Sequence, residues 1–223
     1  MHMVALNSKP SFASAYSKAN EILVKSRVIE SFPYSIKDLI SEQSKIRCRT
    51  FKKALTYGVD ISDFGSESAV IFEYCGKHII FYEDEKPMSH VDFSILHEFG
   101  HKINNHDFQK KDSETYSKYE VETNYFAAQL LMPEQILREF QRRGTKITHD
   151  FLQNRFGVSN QAADKRISTL AKTNAEWRSR MEKEFDDIIL LKYTPFLDSI
   201  SPIQNRYDFE DEYIQQQERN SWY

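Results

Sequence analysis

The chain has 223 residues, enough to bury one sizeable core with appendages, and its 40% hydrophobic and 28% charged content is that of an ordinary soluble protein. Thirty basic residues against 33 acidic ones give a net charge of −3, which excludes a global positive field for nucleic acid or anionic membrane. No apolar run approaches the roughly 20 residues that span a bilayer, which excludes a membrane-spanning role.

Cys48 and Cys75 stand far apart without a CxxC pair and suit a reducing compartment. The start, Met1-His2-Met3-Val4-Ala5-Leu6-Asn7, lacks the charged and apolar regions of a signal peptide, so a cytoplasmic location is expected.

Apolar residues at loosely helical spacing (Ala19, Ile22, Leu23, Val28) predict a helix over 16–29, ended by Phe32-Pro33. Ser35 followed by Asp38 reads as a helix start, with the helix running to about Arg47 and another over 51–57. Residues 69–75 and 78–82 are rich in β-branched and aromatic side chains. Gly76-Lys77 between them suits a type II′ hairpin, giving two antiparallel strands.

Helical periodicity returns at Ser89, where Ser89 and Asp92 offer a second capping signal and Phe93, Leu96, Gly100 and Ile103 form a stripe. A polar connection (104–117) leads to a helix over 118–132, then a third from Pro133 at N1 to Arg143, with Gly144 as its C′ residue. Two short helices follow over 147–171, with Gly157 in their turn and Ser159 as N-cap of the second. A charged helix over 177–191 and an acidic tail over 193–223 (Asp208, Glu210, Asp211, Glu212) complete the chain, the tail ordered loosely or only against something else. These segments suggest a core over 1–145, a small helical unit over 146–173 and an appendage over 174–223.

The chemistry concentrates at His97-Glu98-Phe99-Gly100-His101. An α-helix advances about 100° per residue, so residues i and i+4 share a face and two imidazoles can converge on one Zn²⁺. Glu98 beside them is placed to take a proton from water and return it to a leaving amine. Catalytic zinc needs a third protein ligand. The extended three-histidine pattern would put it at position 107, but that residue is Asp107, and Asn104 stands where the pattern needs glycine. A glutamate on the next helix is the other solution. Among Glu114, Glu120 and Glu122, Glu120 is favoured because Asn124 lies one turn beyond it and can hold the far nitrogen of a ligand histidine. Glu122 lies about 200° around from Glu120, and it reads with Glu114 as solvated surface charge. His106 reads as a support rather than a ligand, and His78, His90 and His149 as ordinary polar residues, His149 with some reach toward the site.

The run Phe93-Ser94-Ile95-Leu96-His97-Glu98-Phe99-Gly100-His101, with His106 after it, resembles the ImmA/IrrE metallo-endopeptidases of bacteria and their mobile elements. So does Glu120-Val121-Glu122-Thr123-Asn124-Tyr125-Phe126-Ala127-Ala128-Gln129-Leu130-Leu131-Met132-Pro133. Phe156-Gly157-Val158-Ser159 with Arg166 and Leu170 looks like that family's small C-terminal helical unit. The resemblance runs from about Ala19 to Leu170. It implies an α+β, gluzincin-like fold in which a small twisted, antiparallel-containing sheet packs on the zinc helix. It also implies Zn²⁺ on His97, His101 and Glu120, Glu98 as catalytic base, and a helix-turn-helix repressor as protein substrate. Thr123 and Asn124 depart from the family's usual Ala and Asp. The alternative is a zinc-containing regulator that binds DNA or protein through the 147–171 helices, or a toxin or immunity partner docking through the acidic tail. Asp164 beside Lys165 and Arg166 speaks against direct nucleic-acid binding.

Overall fold

The computed structural model describes residues 12–60, 62, 68–107, 114–173 and 178–203. In chain order they form α1 (Phe12–Lys25), α2 (Ile36–Gln43), β1 (Arg47–Thr50), a 3-10 helix (Phe51–Tyr57), β2 (Ala69–Tyr74), β3 (Lys77–Tyr82) and α3 (Met88–Ile103). Then come α4 (Glu114–Leu131), α5 (Glu134–Arg142), α6 (His149–Phe156), α7 (Asn160–Lys172), α8 (Arg180–Lys192) and α9 (Thr194–Ile200).

Several expected caps are in place. The Ser35 and Ser159 side chains accept from Asp38 and Ala162 amides, and Gly144 and Gly157 take the left-handed conformation past α5 and α6. Pro133 is the residue before α5 rather than its first member. Ser89, expected to cap, lies inside α3, which starts one residue earlier after Pro87 with no side-chain cap.

The sheet departs from the expected hairpin in two ways. The pair Tyr74 and Lys77 closes a turn through Cys75 and Gly76, both with positive φ (49° and 72°). That is the I′ pattern, not II′, with a cysteine at the first central position. A third strand also exists: Arg47–Thr50, expected as the last residue of one helix and the link to the next, pairs in parallel with β3, giving the order β1-β3-β2. Four residues of Arg, Cys and Thr carry no local strand pattern. The partner strand makes them one.

β3 is therefore central, and its two faces serve two clusters. Ile80 and Tyr82 join the main core, while Ile79 and Phe81 meet Phe51, Ala54 and Val59 under the 3-10 helix. The main core is one continuous cluster that includes Leu96, Phe126, Ala163, Leu170, Ile189 and Tyr193, so α7, α8 and α9 pack with the metal-motif helix around the same interior. α9 takes up the first part of the segment expected to be a loose tail, burying Tyr193, Phe196 and Leu197. The acidic cluster at 208–212 lies outside the described residues. Among the described residues, no helix is long and apolar enough to cross a membrane.

Candidate metal centre

α3 and α4 cross at Gly100. A Cβ there would lie 2.8 Å from the Phe126 ring and 2.9 Å from the Thr123 methyl, so only glycine admits this approach. The crossing sets Glu120 on α4 against the histidine face of α3. His97 Nε2 and His101 Nε2 stand 3.1 Å apart, and each lies 3.2 Å from one oxygen of Glu120. Ligands about 2.0–2.2 Å from a tetrahedral zinc stand roughly 3.3–3.5 Å from each other, so these three donors already have nearly the spacing the ion needs. The set His97, His101 and Glu120 is the expected one. Two nitrogens and one carboxylate also match the chemistry of a catalytic zinc site.

Electrostatics follow from this closeness. Hydrogen bonds from His101 and His97 hold the Glu120 carboxyl well below the usual range. Burial disfavours charge on His97, but its bond to Glu120 outweighs that and its pKa is raised. Glu98 rises, chiefly through burial, with the two histidines pulling the other way. Its Oε2 accepts a 2.9 Å hydrogen bond from the Ile71 amide. Amides alternate in direction along an antiparallel strand, and one that donates to Glu98 faces away from β3, toward the outer side of edge strand β2. The outer edge of β2 thus faces Glu98, a relation that no local sequence signal carries.

Each histidine is braced from behind. Asn124 Oδ1 lies 3.1 Å from His97 Nδ1, as the helical spacing suggested. Behind His101, its Nδ1 lies 3.0 Å from Nδ1 of His106, and His106 Nε2 lies 3.1 Å from a Glu122 oxygen. His106 arrives there because Asn105 adopts a left-handed conformation (φ 55°) after the helix and returns the chain beneath His101. Burial, with His101 beside it, pushes His106 down to about 4. The reading of Glu122 as solvated surface charge is therefore overturned: it points away from the three donors, as its helix position requires, yet its side chain is only 15% exposed and meets His106. Glu114's side chain lies outside the described residues.

The other histidines among the described residues do other work. His149 is half-buried on α6 and pairs at 3.4 Å with Asp164, which lines the cleft while His149 does not. His78 contacts Lys102 and Glu73, and His90 bonds Ser68 at the cleft margin. Both cysteines are free.

The centre opens into a cleft of about 1220 Å³. β2, α3 and α4 supply one side, including Ile71, Glu98 and Tyr125. α7 supplies the other, through Ala162, Lys165 and Thr169.

No curated protein matches the chain. A peptidase family described as the IrrE N-terminal-like domain matches residues 51–168, just over half the chain, spanning the sheet hairpin, the helices α3 and α4 that carry the candidate donors, and most of α7. That family is of the metallopeptidase type, which implies a metal at such a donor set. This chain belongs to the IrrE N-terminal-like family of peptidases.

Proposed function

We propose that the protein is a zinc-dependent endopeptidase in which His97, His101 and Glu120 hold the ion and Glu98 is the general base. The observation that carries this reading is the convergence of three donors at 3.1–3.2 Å, with a buried carboxylate beside them, at the floor of an open cleft. Zinc bound there supplies a Lewis acid and brings a bound water's pKa toward about 7. Glu98 takes a proton from the attacking water as its oxygen adds to the scissile carbonyl carbon, then delivers that proton to the amine nitrogen when the C–N bond breaks. Burial raises the pKa of Glu98, which suits a group that must hold this proton between the two steps.

β2 is an edge strand of the described sheet, and a substrate in extended form would pair along it beside the Ile71 amide, which Glu98 already takes. α7 encloses the opposite side, so the face that a DNA-recognition helix would need for a groove lines the cleft instead. This favours a peptide over a duplex as ligand. The family resemblance points to a helix-turn-helix repressor in the cytoplasm as that peptide's source.

The test uses the zinc-loaded protein with purified helix-turn-helix repressors from the same genome, any encoded beside its gene first. The wild type is expected to cut one of them at a defined bond, and Glu98→Gln to bind zinc equally while cleavage falls at least a hundredfold. Undiminished cleavage by Glu98→Gln would remove Glu98 from the mechanism. Salt-sensitive duplex binding without cleavage would favour the regulator reading.

A further inference from the structure

The two metal-donor histidines are braced unequally. To turn a lone pair at Nε2 toward an ion, each must carry its proton on Nδ1. For His97 that proton goes to the neutral amide oxygen of Asn124. For His101 it must go to Nδ1 of His106, 3.0 Å away, which makes that nitrogen an acceptor. Thr123 lies 3.4 Å from the same nitrogen, but its hydroxyl donates to the Tyr119 carbonyl at 2.6 Å, so it brings no competing proton. His106 then carries its own proton on Nε2 and donates it to Glu122, 3.1 Å away. One arrangement of protons satisfies each of these contacts together.

We infer that Glu122, acting through His106, is a positioning residue that fixes the tautomer and ring plane of His101. The relay is built to be rigid. His106 is 7% exposed, its ring stacks on Tyr119 with centroids 4.1 Å apart, and its amide donates to the His101 carbonyl at 3.1 Å. Glu122 ends the relay with a charge, where Asn124 gives His97 only a dipole. A carboxylate joined through a second imidazole holds His101 in one tautomer and one ring orientation, which an unsupported ring lacks. Glu122 sits on the same helix as Glu120, so α4 supplies both a direct metal donor and the remote anchor of a donor on α3.

The inference rests on the zinc-site reading, and the test separates the two. Zinc affinity is measured by competition with a chromophoric chelator for the wild type, Glu122→Gln and Glu122→Ala. Zinc-loaded wild type is examined by long-range ¹H–¹⁵N NMR of its histidines. The expected spectrum has His101 protonated at Nδ1 and His106 at Nε2. Glu122→Ala is expected to weaken zinc binding about 10- to 100-fold. Glu122→Gln, which keeps an acceptor oxygen but loses the charge, should fall between it and wild type. A purely structural role would lower the melting temperatures of metal-free and zinc-loaded protein alike. A positioning role shrinks the zinc-induced gain itself. Equal zinc affinity across the three proteins, or a proton on His106 Nδ1, overturns the relay. Should Glu122→Ala fail to fold, the isosteric Glu122→Gln and the wild-type spectrum decide. If wild type binds no zinc, the metal-site reading has failed instead.

Discussion

Carboxylates on α3 and α4 are moved in opposite directions by their surroundings. Glu120 meets two imidazoles and is held low, whereas Glu98 and Asp92, on α3, are raised chiefly by burial. Asp92 reaches about 6, with only Lys37 pulling it back. Because its folded pKa lies above the ordinary carboxylate value near 4, the folded state binds the proton more tightly than the unfolded chain. The ionised form therefore costs stability above about pH 6, and the cost fades as pH falls from about 6 to about 4. A shift of this size corresponds to about 3 kcal/mol, and partial exposure trims it to about 1–2 kcal/mol. Asp92→Asn is expected to raise the melting temperature by about 2–6 °C at pH 7.5 and to leave it unchanged at pH 4. Calorimetry at the two pH values checks this; a gain at pH 4 as large as at pH 7.5 would show that ionisation is not the cause.

Helix pairing converts a local motif into a site. The i, i+4 histidines and the partnership of Glu120 with Asn124 were legible in the sequence, because helical geometry alone fixes which residues share a face. Glu122 was misread for the same reason: its angle on α4 sets it apart from the three donors but says nothing of His106, which returns through the αL turn at Asn105. β1 was missed because a four-residue strand paired in parallel depends on a partner distant in sequence. Gly100 read as one member of an apolar stripe, and only the α3–α4 crossing explains why it must be glycine. Gly100→Ala gains up to about 1 kcal/mol of helix propensity but drives a methyl into Phe126 and Thr123, costing about 1–3 kcal/mol. The relief available is for α4 to withdraw, taking Glu120 from the histidines. The variant is thus expected to lose stability and zinc affinity together. A variant with lower stability but wild-type zinc affinity would mean that the helices relax elsewhere.

At the scale of the whole molecule, the far wall of the cleft depends on segments remote from the candidate metal centre. α7 is fastened to the end of α4 by Arg166, whose Nη2 reaches the Met132 carbonyl and the Gln129 side chain at 2.6 Å each. Beneath the helical layer, Phe196 of α9 meets Phe32, Phe140 and Phe156 at centroid distances of 5.3–5.9 Å, joining α5, α6 and the turn before α2. Tyr193 donates to the Leu23 carbonyl at 3.0 Å, and Lys192 reaches the same carbonyl, so the end of α1 is closed by the C-terminal helices. Removing everything from residue 193 would therefore strip buried core and report on folding rather than on a tail. Phe196→Ala is the sharper probe. It is expected to cost about 3–5 kcal/mol, since the aromatic partners cannot close the space together. The three donors lie on α3 and α4, away from this cluster, so zinc affinity of the folded fraction should stay at the wild-type value while denaturant unfolding shifts. A folded Phe196→Ala protein with weakened zinc binding would show that the C-terminal helices also tune the metal centre through the shared core.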